Sequence, residues 1–507
     1  MKKKAVKRVF IFTTVALFII FSAVIAIKKL EVSEENPFVN RNPTPSTQWV
    51  ELKINNNSQW IDLYSNEQWY DTPTLNLEYE TEVTIGNFTG YEISINDKKI
   101  NSGGKLNFSL NNLSVEKDVT IQITDINNGQ KRYHHIRTLP SNYYVSTVLK
   151  QQNVTSGFYY FNMNDYIYKM NTEGQIVFFK YVPGGFDFKP TLIEDKLYYS
   201  YLQKHGTESS PFLIGVDYYQ AKAMVLNEQY DIIDEVTTLF PSDEKRMPQP
   251  LSNSQFTILG DKHYLISSFV GKRVKNIPKE VLVDPFGSRV VAVVLQEVMD
   301  GKVIWQWDST HYPELYKYSM DADFNNLKDY WADYAHLNSL AIDTNDNNLI
   351  ASFGKINALI KIDRTNGNII WILGGRGDQF ALSDDQELSN QHDIRIDSTG
   401  VITFLNNGPF SKSGKDKPTH VVEIKIDESA KKIVSYKLFN LDHGFVRTMG
   451  GTQKLDEGVY VIGWGDREGK LPLFSEIDFN TNNVLFELLR PNLGPGDSSY
   501  KVYKFNR

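Results

Sequence analysis

The 507 residues carry a formal charge of −7, and acidic and basic side chains are interspersed beyond the first thirty positions, which excludes a basic groove for nucleic acid. No cysteine is present, so disulfides, thiolate nucleophiles and cysteine-ligated zinc are excluded as well. Aromatic residues make up 13%, with 28 Tyr and 29 Phe; such rings fill the pleated face of a strand, so the chain reads as all-β.

At the start of the chain, Lys2, Lys3, Lys4, Lys7 and Arg8 precede an uncharged run over residues 9–27. That run is long enough to cross a bilayer, whereas a cleaved signal peptide has an apolar region of about 7 to 15 residues, so residues 1–30 read as a transmembrane signal anchor. Five basic residues precede it against Lys28 and Lys29 after it, which predicts a single-pass protein of the cell membrane with a cytoplasmic N-terminus and the bulk of the chain outside. The Asn- and Pro-rich residues 31–47 fit a tether.

Residues 48–145 alternate apolar and polar positions in short runs such as Leu77-Glu78-Tyr79-Glu80, parted by Asn- and Gly-containing turns, and predict a small β-sandwich. From residue 146 to 507 one pattern recurs six times. Strands lead to a tight turn (NTEG, MDGK, RTNG, DESA, NTNN) and then to an aromatic strand, for example in NLIASFGKINALIKIDRTNGNIIWILGG. Repetition at a fixed period of about 40 to 55 residues predicts a six-bladed β-propeller, which closes on itself and so limits exposed sheet edges.

Inner strands of a propeller line its centre, so polar stretches that open a blade are candidate sites. Two stand out: Asp333-Tyr334-Ala335-His336-Leu337-Asn338-Ser339 and Asn390-Gln391-His392-Asp393-Ile394-Arg395. Strict alternation along a strand projects Tyr334, His336 and Asn338 to one side, with His392 on the next blade. From the residues alone two readings stand. The imidazoles act as nucleophile or acid–base groups near neutral pH, or the polar side chains tie neighbouring blades together. No cofactor or metal is called for: Asp343-Thr344-Asn345-Asp346-Asn347 lacks the Gly and terminal Glu of a calcium loop, and GPFSKSGKD fails the phosphate-loop pattern.

The run DYAHLNSLAID, continuing through IASFGKINALIKIDRTNGNIIWILGG to QHDIR and FLNNGP, resembles the arylsulfotransferase family of bacterial aryl-sulfate sulfotransferases. The resemblance implies transfer of a sulfuryl group from a phenolic sulfate ester to a phenol, by a ping-pong route through a sulfohistidine and without adenylylated sulfate. It also implies His392 as the nucleophile, His336 and Asn338 as groups that bind and polarise the sulfate oxygens, and a homodimer formed through the N-terminal region. The family's Arg after HLNS is matched here by Gly354, with Lys355 beside it, and a further family His is matched by Ser254 and Gln255, nine residues from His263. Arg395, Arg447 and Thr448 are the donors available to take over. The alternative reading is a surface propeller that kept the fold and half of the site and serves as a binding or scaffolding module.

Overall fold

The computed structural model describes residues 49–54, 57–62, 80–85, 89–101, 105–109, 119–136, 147–150, 153–163, 165–209, 219–239, 251–281, 288–320, 322, 324, 331–408, 417–440, 446, 448–465, 472–489 and 500–506. The expected anchor and tether lie outside the described residues, and among these no helix is long and apolar enough to cross a membrane. The chain divides into two compact units. Toward the N-terminus, residues 49–136 form two four-stranded sheets, one from Trp49–Ile54, Asn57–Asp62, Glu80–Ile85 and Lys105–Ser109, the other from Tyr91–Ile95, Lys98–Ile100, Val119–Asp125 and Lys131–Ile136.

The second unit holds six sheets, each opening with an inner strand and continuing outward as a meander. Blades 2 to 6 open with Gly185–Ile193, Leu251–Gly260, Leu337–Ile342, His392–Ile396 and Gly451–Asp456. Blade 1 is assembled from both ends of the unit: the C-terminal strand Tyr503–Phe505 pairs antiparallel with Phe158–Met163 and becomes the inner strand. Each inner strand lies against the next, and that of blade 6 against Tyr503–Phe505, so the ring closes as a β-propeller.

Local chemistry explains why the meanders turn where they do. In the last hairpin of blades 1, 4, 5 and 6 an Asn or Asp carboxylate or amide oxygen (Asn171, Asp363, Asp427, Asp478) accepts the backbone N–H two residues on, at 2.8 to 3.0 Å. These turns need one residue in the left-handed region, supplied by Gly174, Gly367, Lys431 and Asn482 with φ of 78°, 81°, 52° and 56°.

Apolar side chains between blades make the core. Blades 4 and 5 share Trp371, Leu373, Ile394, Phe404 and Val422, all buried. Blades 6 and 1 share Tyr159, Phe161, Phe474 and Phe486, with the Tyr159 ring stacked 4.6 Å from Phe486. Burial of a ring such as Phe474 stabilises by about 1.5–3 kcal/mol.

Charged groups sit inside the same seams. At the blade 6–1 seam Glu476 is fully buried and accepts from Thr155 N at 2.8 Å, Tyr159 Oη at 2.6 Å and Lys504 Nζ at 2.5 Å. Glu423 repeats the device at the blade 5–6 seam with Tyr460 Oη and Lys454 Nζ. An ion pair out of water holds only when its remaining donors and acceptors are met, as they are for Glu476.

Candidate active site at the propeller centre

The strands of blades 4 and 5 that carry the two histidines are bound to each other side by side. Asn338 Nδ2 donates to Asn390 Oδ1 at 2.9 Å and to the Gln391 carbonyl at 3.1 Å, Ser352 Oγ donates to the same carbonyl at 2.7 Å, and Ile394 N donates to Ser339 Oγ at 2.9 Å. The residues flanking His392 are therefore fixed to blade 4. Asn338 is engaged in this tie, and its amide hydrogens are not turned to a sulfate as the resemblance implied.

Strict alternation fails at both histidines. His336 has φ of +54°, one residue before its strand begins, and Asp393 has φ of +52°; the register slips between Leu337 and Ser339 and between His392 and Arg395. Bulges of this kind re-aim side chains next to sites, and left-handed non-glycine residues cost about 1–3 kcal/mol each.

The slip corrects the expectation for Tyr334. Its side chain is fully buried among Tyr316 and Phe324, with the hydroxyl donated to Ser309 Oγ at 2.6 Å, and burial raises its pKa well above that of a free phenol. Tyr334 is a core residue. His336 instead reaches Asp333: its Nδ1 lies 2.6 Å from Asp333 Oδ2, and a carboxylate can only accept, so Nδ1 carries the proton. Asp333 is buried and held by a short parallel pairing with Val291, while the His336 side chain keeps 29% of its surface exposed, its ring 5.2 Å from that of Phe269.

His392, the first residue of its strand, is 6% exposed, and its Nδ1 is buried without a hydrogen-bond partner. Burial, then the charge of Lys501, then that of His336, push its pKa well below the usual imidazole value. The ring is thus neutral near pH 7, with a lone pair to give.

Next to His392 in the sequence, Asp393 joins a cluster of charged groups from three inner segments. On blade 2, Lys189 Nζ donates to Asp187 Oδ2 at 3.1 Å, and Tyr503 Oη on the ring-closing strand donates to Asp187 Oδ1 at 2.6 Å. On blade 5, Arg395 gives Nε and Nη2 to Asp393 Oδ2 at 3.2 and 3.0 Å and lies over the Tyr503 ring. Asp393 also accepts Thr452 N of blade 6 at 3.0 Å, and Lys501 Nζ lies 3.5 Å from its other oxygen. Burial works against Asp187, yet Lys189 and Lys501 hold its carboxyl below the usual range.

Three cations thus face two carboxylates here. Asp187, Lys189, Lys501 and Tyr503 were not singled out from sequence, and Asp333 and Asp393 stood within the two polar stretches without a role of their own. The signal available was a charged or phenolic pair two residues apart on a blade-opening segment: Asp187 with Lys189, Asp393 with Arg395, Lys501 with Tyr503.

The remaining candidates are distributed as follows. Gly354 opens the tight turn 354–357, with its N–H on the His336 carbonyl, and a Cβ added there would come within 2.5 Å of Asn338 Nδ2 and 2.6 Å of Asn390 Oδ1. Lys355 is the next residue of that turn rather than part of a strand, half-buried, its N–H on the Ala335 carbonyl. Thr448 lies half-buried on the lead-in to blade 6, and Arg447 lies outside the described residues. Gln255 is buried and donates to Thr257 Oγ1 at 2.5 Å, while His263 pairs with Glu297 at 2.6 Å at the hairpin that ends the inner strand of blade 3.

One trio of carboxylates among the described residues has metal-ligand spacing: Asp343, Asp346 and Glu428. The buried ammonium of Lys361 already bridges them, at 2.8, 2.6 and 2.5 Å, so the trio reads as a lock between blades 4 and 5.

Residues 286–501 match the family model described as Arylsulfotransferase (ASST). No curated protein matches the chain. Among solved structures, similarity extends to a structural genomics protein of unknown function from Bacteroides thetaiotaomicron VPI-5482 (10% identity over 88% of this chain and 99% of that one, TM-score 0.30). It extends also to the Dos1 propeller (11% identity, 84% of each chain, TM-score 0.28) and to an auxiliary nutrient binding protein from the same Bacteroides strain (8%, 86% and 87%, TM-score 0.31). The family match spans His336, His392 and Lys501, and over residues 286–501 the chain is similar to the arylsulfotransferase family.

Proposed function

We propose that the chain is an aryl-sulfate sulfotransferase that carries a sulfuryl group from a phenolic sulfate ester to a phenol through a sulfohistidine on His392. The observation that carries this reading is a neutral, buried His392 opening the inner strand of blade 5, with His336, oriented by a carboxylate, just ahead of the inner strand of blade 4 to which the residues flanking His392 are tied.

In the first half-reaction a lone pair of the His392 imidazole attacks sulfur, the N–S bond forms and the S–O(aryl) bond breaks, its electron pair leaving on the phenolate. His336, protonated at Nε2 as well as at the Nδ1 that faces Asp333, delivers the Nε2 proton to that oxygen and is left neutral. In the second half-reaction an acceptor phenol gives its proton to His336, its oxygen attacks sulfur, and the N–S bond breaks to return neutral His392. One difficult displacement becomes two between groups already in position.

The basic stretch and apolar run at the start of the chain support a single-pass anchor with the propeller outside the membrane; the alternating short runs support residues 48–145 as a β-sandwich, and self-association through the N-terminal region rests on the family resemblance. Incubation of the full chain, in detergent, with 4-nitrophenyl sulfate and phenol tests the activity. The reading predicts nitrophenol release that depends on acceptor and is lost in His392→Ala. Absent turnover with an intact fold returns the binding-module alternative.

A further inference from the structure

An Arg at the position where the arylsulfotransferase pattern carries one would have to displace the tie between blades 4 and 5. A Cβ on Gly354 meets Asn338 and Asn390 at 2.5 and 2.6 Å, and Asn338 is fixed by its bonds to Asn390 and Gln391. Arg395, the guanidinium nearest in sequence to His392, is held by two hydrogen bonds to Asp393 Oδ2 and by the Tyr503 ring. An anionic sulfuryl group still needs a cation beside the nucleophile.

Lys501 meets that need from an unexpected part of the chain. It is 2% exposed and precedes the ring-closing strand Tyr503–Phe505, and its neighbour Tyr500 is fixed by the Gly450 N–H on its carbonyl at 3.1 Å. Its Nζ lies 3.5 Å from an oxygen of Asp393, the residue that follows His392. Removing an ammonium from water is costly unless negative charge meets it. Among the described residues, Lys189, Arg395 and Lys501 share two carboxylates, Asp187 and Asp393, and one bound anion would balance the third charge of this cluster.

We infer that Lys501 binds an oxygen of the sulfuryl group at His392, doing from the C-terminal segment what the family's Arg does from the position occupied here by Gly354. This rests on the sulfotransferase reading and adds that the site is complete only once the last strand has closed the ring.

Titration calorimetry of the full chain in detergent with benzenesulfonate, which has no leaving phenolate, measures binding apart from turnover. Lys501→Met is expected to weaken binding by about tenfold or more, the loss of one charged hydrogen bond, and Lys501→Arg to keep it within a few-fold. Lys501→Met/Asp393→Asn removes both charges of the pair, leaves the net charge of the cluster unchanged should the single variant fail to fold, and is expected to lose binding as well. Wild-type affinity in either folded variant lacking Lys501, or no sulfonate binding by the wild type, overturns the inference. Binding that depends on Lys501 in a protein that never sulfates His392 leaves the inference standing and removes the transfer reading instead.

Discussion

Glu476→Gln is the sharpest test of how the ring is held shut. The carboxylate is fully buried and takes hydrogen bonds from Thr155, Tyr159 and Lys504, joining blade 6 to the strand pair that completes blade 1. The amide keeps the shape but strands the Lys504 ammonium, itself only 4% exposed, and turns an N–H toward its former donors. Breaking a buried pair from one side costs about 3–5 kcal/mol. With an unfolding entropy of about 2.1 cal/mol/K per residue, the roughly 360 residues from Thr147 to Phe505 give about 0.75 kcal/mol/K, so Tm should fall by about 4–7 °C. Lys504→Met should cost a similar amount, and the double variant less than the sum, because it removes both charges. The exposed pair Lys222–Glu235, at 3.0 Å, is the control: Lys222→Ala should shift Tm by about 1 °C or less. Thermal denaturation followed by circular dichroism reads all four. A Glu476→Gln melt within 1 °C of wild type, or strict additivity in the double variant, would refute the reasoning.

Three further outcomes follow from the site. Asp333→Asn removes the acceptor of His336 Nδ1 and should lower kcat by about 10²-fold or more while benzenesulfonate affinity stays within a few-fold, read by steady-state kinetics and calorimetry. Because the folded pKa of His392 is depressed, the unfolded state takes up a proton below about pH 6.5 that the folded state refuses. The stability difference is present above that pH and is lost as pH falls, so wild type should lose about 2 kcal/mol relative to His392→Gln between pH 7.5 and pH 5, measured by paired melts; a constant difference contradicts it. Gly354→Ala should destabilise by about 1–3 kcal/mol through overpacking against Asn338 and Asn390, and Gly354→Arg should not restore sulfonate binding to Lys501→Met. Rescue by that Arg would mean the pocket relaxes around it.

The blades were legible because their cause is local. An Asn or Asp that accepts the N–H two residues on, a left-handed residue, and an aromatic strand repeat in the sequence as they repeat in the sheets. Of the candidate site, His336, His392 and Arg395 were legible as residues in the sequence, and most of the cluster around Asp393 was not. Tyr334 was misassigned because period-two alternation assumes extended backbone, and a non-glycine residue such as His336 at φ +54° leaves no mark in the sequence. Asn338 looked like a ligand donor because an amide on an inner strand serves a ligand or a neighbouring blade equally well, and only the carbonyl of Gln391 beside it decides. Lys189 and Lys501 lie more than 300 residues apart and meet through ring closure, which no local pattern encodes.

The central claim is that His392 takes the sulfuryl group. Full-length protein mixed with 4-nitrophenyl sulfate without acceptor, quenched at alkaline pH and digested, should yield a peptide containing His392 heavier by one SO3 group, an adduct that phenol discharges and that His392→Ala never forms. Nitrophenol release with that peptide unmodified, or with the adduct on another residue, contradicts the account.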